Sequence, residues 1–182
     1  MFAEGAAALA RALADQGTGI VYGGGDVGLM GVVATEALSR GGTVIGVMPG
    51  SLVDRELAHR GLTRLEIVES MHERKARMAE LSDAFIALPG GAGTLEEFFE
   101  VWTWQQLGIH TKPVALYNID GFWGPLIAAI DASVDAGFLR PTYRAALIIS
   151  DNAQDLLNQL KAWKPAPQKW HEPGTTRVVP LA

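Results

Sequence analysis

Six short apolar runs, alternating with helix-forming stretches, constrain this chain more than any other feature. They are "GIVY" (Gly19 to Tyr22), "TVIGV" (Thr43 to Val47), "LEIV" (Leu65 to Val68), "AFIAL" (Ala84 to Leu88), "PVALY" (Pro113 to Tyr117) and "ALIIS" (Ala146 to Ser150). Each is unbroken in hydrophobicity rather than alternating, as expected of strands covered on both faces of a parallel sheet. Helical patterning is predicted over 3–14, 27–39, 71–81, 95–107, 122–136 and 152–160. This alternation implies an α/β fold, a doubly wound, mostly parallel, Rossmann-like sheet with helices on both faces. Ligands in such sheets bind beyond the carboxyl ends of the strands. The glycine clusters of this chain fall there.

At 182 residues, 48% hydrophobic and 19% charged, the chain has the material for one core. The expected organisation is one domain over 1–163 and a proline-rich tail, "KPAPQKWHEPGTTRVVPLA", over 164–182. A formal charge of -5 without any basic run argues against a nucleic-acid partner. The absence of cysteine excludes disulfides and thiolate metal sites. The four histidines (His59, His72, His110, His171) show no ligand spacing, so no metal is expected. No apolar run approaches the ~20 residues of a membrane span. The stretch after Met1 is an amphipathic helix carrying Glu4 and Asp15 rather than a signal peptide. A soluble, cytoplasmic protein is the expectation.

Two glycine loops follow strands. In "VYGGGDVGLMG", Gly23, Gly25 and Gly28 fit G-x-G-x-x-G, a phosphate-binding turn or simply a tight strand-to-helix turn. A dinucleotide reading also requires an acid near the end of the next strand, but "VMPGS" has none until Asp54. In "PGGAGTLEEFFE", Gly90, Gly91 and Gly93 free the backbone before Thr94. Thr94-x-x-Glu97 then has the spacing of a capping box, as does Ser70-x-x-Glu73 upstream. Arg77 has an expected helical partner in Glu73.

A capping box needs one glutamate, yet Glu96, Glu97 and Glu100 all follow the second loop, among Leu95, Phe98, Phe99, Val101 and Trp102. "HERK" adds Arg74, a planar fork, and Lys75, a point charge. Phosphate on glycine N–H groups with carboxylates nearby suits a substrate anionic at one end and becoming cationic at the other. A ribosyl 5′-phosphate losing its base is such a substrate, because N-glycosidic cleavage passes through an oxocarbenium-like state.

The stretch "SMHERKARMAELSDAFIALPGGAGTLEEFFEVWTWQQLGIHTKPVALYN" strongly resembles the LONELY GUY family of cytokinin riboside 5′-monophosphate phosphoribohydrolases. It carries that family's P-G-G-x-G-T-x-x-E signature at Pro89–Glu97 and the upstream Arg-Lys pair. "VYGGGDVGLMG", "GVMPGSL" and "GFLRP" extend the likeness to about Leu160. The family's older lysine-decarboxylase label has no support here, since no lysine sits in a recognisable pyridoxal-phosphate setting.

The resemblance implies hydrolysis of a nucleoside 5′-monophosphate, typically an N6-prenylated AMP, to free base and ribose 5-phosphate. It implies Arg74 and Glu97 as the catalytic pair. Gly90, Gly91, Gly93 and Thr94 would hold phosphate with Lys75 nearby, and Glu56, Glu96 and Thr103 would complete the substrate contacts, joined by Gly24 and Gly25 of the first loop. No cofactor is implied, and a homodimer is, with Trp102 and Trp104 as interface or core candidates. Met30, Met48, Met71 and Met78 are candidates for an isoprenoid pocket or for core. Two other readings share the residues: a non-catalytic carrier of a nucleotide-like ligand, similar to molybdenum-cofactor carriers, and a nucleosidase for plain AMP or other nucleotides. Family members usually open with a strand and a small Gly-Ser-Ser loop before the helix at Ala3–Ala14, whereas this sequence begins at that helix. A first strand upstream, or one missing from the beginning of the chain, is therefore expected, because a central strand's neighbours need backbone partners.

Overall fold

All six apolar runs form strands, and all of them pair in parallel. The computed structural model describes residues 1–53 and 58–166. Helix α1 (Phe2–Asp15) leads into β1 (Ile20–Tyr22), α2 (Gly28–Ser39), β2 (Val44–Pro49) and β3 (Arg64–Val68). Helix α3 (Met71–Leu81), β4 (Phe85–Ala87), α4 (Ala92–Leu107) and β5 (Val114–Tyr117) follow. Last come α5 (Gly124–Asp135), α6 (Pro141–Ala146), β6 (Ile148–Ser150) and α7 (Ala153–Ala162). The short α6 escaped the sequence reading: six residues offer fewer than two turns of periodicity.

The α/β class with parallel strands and flanking helices is as expected, but the sheet is divided. The strands form two three-stranded sheets, ordered β1-β2-β3 and β4-β5-β6. Among the described residues β1 pairs only with β2, and β4 only with β5. The residues of both strands line one large cavity.

Strand β5 shows why the runs read as unbroken. Val114 and Leu116 pack with Phe98 and Trp102 of α4 and Ile130 of α5. Ala115 and Tyr117 turn the other way, onto Leu9 and Leu13 of α1 and Leu156 and Leu157 of α7. Both faces are buried, so no polar alternation survives. Each such large apolar side chain contributes about 1.5–3 kcal/mol when fully buried. Helix α1 spans the two sheets: while Leu9 and Leu13 join the second, Ala6 and Ala10 pack with Val33, Ala34 and Ala37 of α2 and Val44 of β2. Trp102 is 3% exposed and belongs to this core, and Trp104 is half-buried. Met48 is likewise fully buried in β2. No described helix is long and apolar enough to cross a membrane.

Candidate active site

The carboxyl ends of β1, β3 and β4 deliver three segments to one place: the loop after Tyr22, the start of α3 and the start of α4. Helix α3 opens as its sequence spells. Ser70 Oγ accepts from Glu73 N–H at 3.1 Å, and Glu73 Oε2 accepts from Glu69 N–H at 2.8 Å. That reciprocal pair fixes the first turn. One turn on, Arg74 is 6% exposed and Lys75 lies beside it. Arg77 departs from expectation. Its guanidinium pairs with Glu66 at 2.7 Å and Glu80 at 2.6 Å rather than with Glu73, which the cap already occupies.

Helix α4 does not open as its sequence spells. It begins at Ala92, with Gly91 as an N-cap in extended geometry (φ -94°, ψ -153°) and no side-chain cap. Thr94 and Glu97 therefore do not form a capping box. Glycine is a tolerated N-cap, and starting there puts Thr94 inside the helix and Glu97 in its second turn, beyond reach of the first N–H groups. Thr94 instead lies over Gly90: a methyl on Gly90 would overlap Thr94 Oγ1 and stand 2.8 Å from its Cβ. An N-terminus without a side-chain cap presents backbone donors and a positive dipole end to an anion.

The acids of α4 are divided in use. Lys75 Nζ donates to Glu96 Oε1 at 2.7 Å and to Glu100 Oε1 at 2.9 Å, tying α3 to α4. The hydrogen bond to Glu96, then that to Glu100, raises the Lys75 ammonium above its ordinary range. Glu100 Oε2 is buried with no hydrogen-bond partner among the described residues. Glu97 stands apart from this clamp. Burial raises its carboxyl above the ordinary carboxylate value, opposed first by the nearby positive charge of Arg74.

Arg74, Lys75, Gly90, Gly93, Thr94, Glu96, Glu97 and Glu100 all line one cavity of about 1230 Å³. It runs from these groups between β1 and β4 to Thr18 and Thr43 at the amino ends of the strands. Met30, Met71 and Met78 also line it, separating them from the core residue Met48. Other expected contacts are placed elsewhere. Gly24 and Gly25 are buried outside the lining: the Gly24 carbonyl accepts from His59 N–H at 3.0 Å and the Gly25 carbonyl from Tyr22 O–H at 3.0 Å. Thr103 is exposed and outside the lining, on the helical stripe of Glu96 and Glu100. Glu56 lies outside the described residues. The partnership of Glu100 with Lys75 was not legible, although its spacing from Glu96 (i, i+4) put both acids on one face. Among the described residues no group of three or more His, Asp or Glu is placed to hold a metal ion.

Comparison with known proteins adds a second line of observation. A family model described as "Possible lysine decarboxylase" matches residues 30–160. A cytokinin riboside 5′-monophosphate phosphoribohydrolase of Arabidopsis thaliana is 46% identical over 164 residues, covering 90% of this chain and 72% of the relative. A probable cytokinin riboside 5′-monophosphate phosphoribohydrolase of Oryza sativa subsp. japonica is 44% identical over 169 residues, covering 93% of this chain and 69% of the relative. Among solved structures, the molybdenum cofactor binding protein from Rippkaea orientalis superposes with a TM-score of 0.67 at 22% identity, over 88% of this chain and 86% of that one. The molybdenum cofactor carrier protein of Chlamydomonas reinhardtii gives a TM-score of 0.65 at 22% identity, over 88% of each chain. At that identity the structural likeness speaks for the fold alone.

Proposed function

The chain belongs to the LONELY GUY family of phosphoribohydrolases, and from that premise we propose that it hydrolyses the N-glycosidic bond of a nucleoside 5′-monophosphate, an AMP with or without an N6-prenyl group. Base and ribose 5-phosphate are the products. The observation that carries this reading is the division of the α4 acids: Glu96 and Glu100 share the ammonium of Lys75, while Glu97 is desolvated and feels the charge of Arg74, both lining the cavity.

In the proposed reaction the 5′-phosphate sits on the first turn of α4, at Gly91, Gly93 and Thr94, where no side chain caps the helix. Glu97 stands toward the ribosyl C1′, where positive charge develops. Water attacks C1′ as the bond to the base nitrogen breaks. Glu97 takes the proton from water, and that proton passes to the departing base nitrogen. A carboxyl held above its ordinary value suits both transfers near neutral pH. Arg74 keeps the carboxylate ionised between them. Met30, Met71 and Met78 along the cavity favour an apolar substituent on the base.

The lysine-decarboxylase description fits less well. A Schiff-base lysine must become neutral, whereas Lys75 is held charged by two carboxylates. A carrier role is also less favoured, since mere binding of an anion gains nothing from a buried carboxylate beside it. Phe99 (41% exposed), Leu107 (37%) and Ile109 (65%) leave apolar surface on and just after α4, which supports a homodimer. The deciding assay is base release from AMP and isopentenyl-AMP with the native and Glu97→Gln proteins. Release by the native protein alone supports the reading. Equal release by both removes Glu97 from it, and tight binding without release favours the carrier.

A further inference from the structure

Arg74 donates from Nη1 to Met71 Sδ at 3.7 Å, and its guanidinium also packs on a residue that offers it space. Gly23 is buried directly after β1, and the Arg74 guanidinium lies against its Cα. A methyl group built on Gly23 would overlap Nη2 and stand 3.0 Å from Cζ and 3.5 Å from Nε. The loop has no room to retreat. Gly24 holds a positive φ of +86°, and a methyl built on it would stand 3.0–3.5 Å from Leu65, Met48 and the Gly46 backbone. Tyr22 O–H ties down the Gly25 carbonyl at 3.0 Å, and Gly25 bridges Ala58. The base of the arginine is no freer, because the Ser70–Glu73 cap fixes its helical turn. Only the far end of the side chain can yield, and the cavity lies beside it.

We propose that Gly23 is a positioning residue, its missing side chain being the seat that holds the Arg74 guanidinium toward Glu97. This rests on the reading of Arg74 and Glu97 as the catalytic pair. It also gives the first glycine of "GGGDVG" a role besides phosphate binding: its backbone approaches a side chain of the protein. The groups surrounding Glu97 are Arg74 and Lys75 from α3 and Glu96 and Glu100 from α4. Of the two cations, Lys75 is already committed to Glu96 and Glu100. Displacing Arg74 therefore leaves Glu97 with its burial largely unopposed.

The test is Gly23→Ala, alone and combined with Arg74→Lys, read by melting temperature and by kcat and KM for base release across pH. The expected result is a folded protein whose kcat falls by about ten- to a hundredfold, the scale of an ångström-level misplacement, with KM nearly unchanged. The acid limb of its pH profile moves to higher pH. In the Arg74→Lys background, where the fork is gone, Gly23→Ala costs about threefold or less, a non-additivity that reports direct contact. A Gly23→Ala protein with native kcat and pH profile overturns the proposal, as does an equal loss in both backgrounds. Should Gly23→Ala fail to fold, recovery of folding in Gly23→Ala/Arg74→Ala supports the seat, and continued failure overturns it. Full activity of Arg74→Ala by itself would overturn the catalytic pair instead, leaving the seat to be judged by the coupling in melting temperature.

Discussion

Helices α3 and α4 enter the site with the same four-residue spelling and use it differently. At α3, Ser70 and Glu73 bond the backbone and are consumed by the fold. At α4, three glycines let the helix start early, so Thr94 packs over Gly90 and Glu97 is spared for the cavity. A capping box is thus a statement about spacing, and whether it closes depends on where the helix begins. The helix that caps itself presents cations, Arg74 and Lys75. The helix without a side-chain cap presents an anion-binding end and the carboxylate.

The contrast can be broken most decisively at Glu97. Replacing it with glutamine is expected to lower kcat about a thousandfold, the scale of losing a general base, without lowering the melting temperature. A lower melting temperature would mean that Glu97 stabilises the helix after all. Thr94→Ala should raise KM about tenfold, the loss of roughly one hydrogen bond to a charged group, with kcat nearly unchanged. An unchanged KM with a lowered kcat, seen in initial-rate data, would argue against a phosphate contact. Ser70→Ala is the converse variant. It should cost about 1 kcal/mol of stability, as lost N-caps do, and change kcat/KM little; chemical denaturation measures the first and the assay the second.

The smallest effect is a pH dependence. The folded-state value of Glu97 lies above its ordinary 4.5, so the folded protein binds the proton more tightly than the unfolded chain. Its contribution favours folding below 4.5 and is lost as pH rises through the raised value. Glu97→Gln should therefore melt higher than the native protein at pH 7, and the advantage should vanish in acid. The same shift places the acid limb of the activity profile above pH 4.5. An advantage that grows in acid would reverse the assignment of burial as the cause.

Much of this architecture was legible in the residues. The apolar runs named all six strands, and helix 71–81 matches Met71–Leu81 to the residue, because its cap is a local signal that local structure obeys. Helix α4 was expected from Leu95 and begins at Ala92, since a glycine N-cap leaves no side-chain signature. The gathering of Arg74, Glu97 and Thr94 was anticipated through the family signature. The commitment of Lys75 to Glu96 and Glu100 was not, because it joins two helices more than twenty residues apart in sequence. Trp102, an interface or core candidate from the sequence, proved to be core once its helical face was known.

The sequence alone determined the class of fold, the parallel strands and the residues that can carry charge to their carboxyl ends, because hydrophobic pattern and motif spacing are properties of the chain itself. Tertiary structure decided the allocation. Which capping box closes, which glutamates a lysine binds and which glycine gives space to Arg74 all depend on segments distant in sequence coming within a few ångströms. Charge, burial and excluded volume act through space.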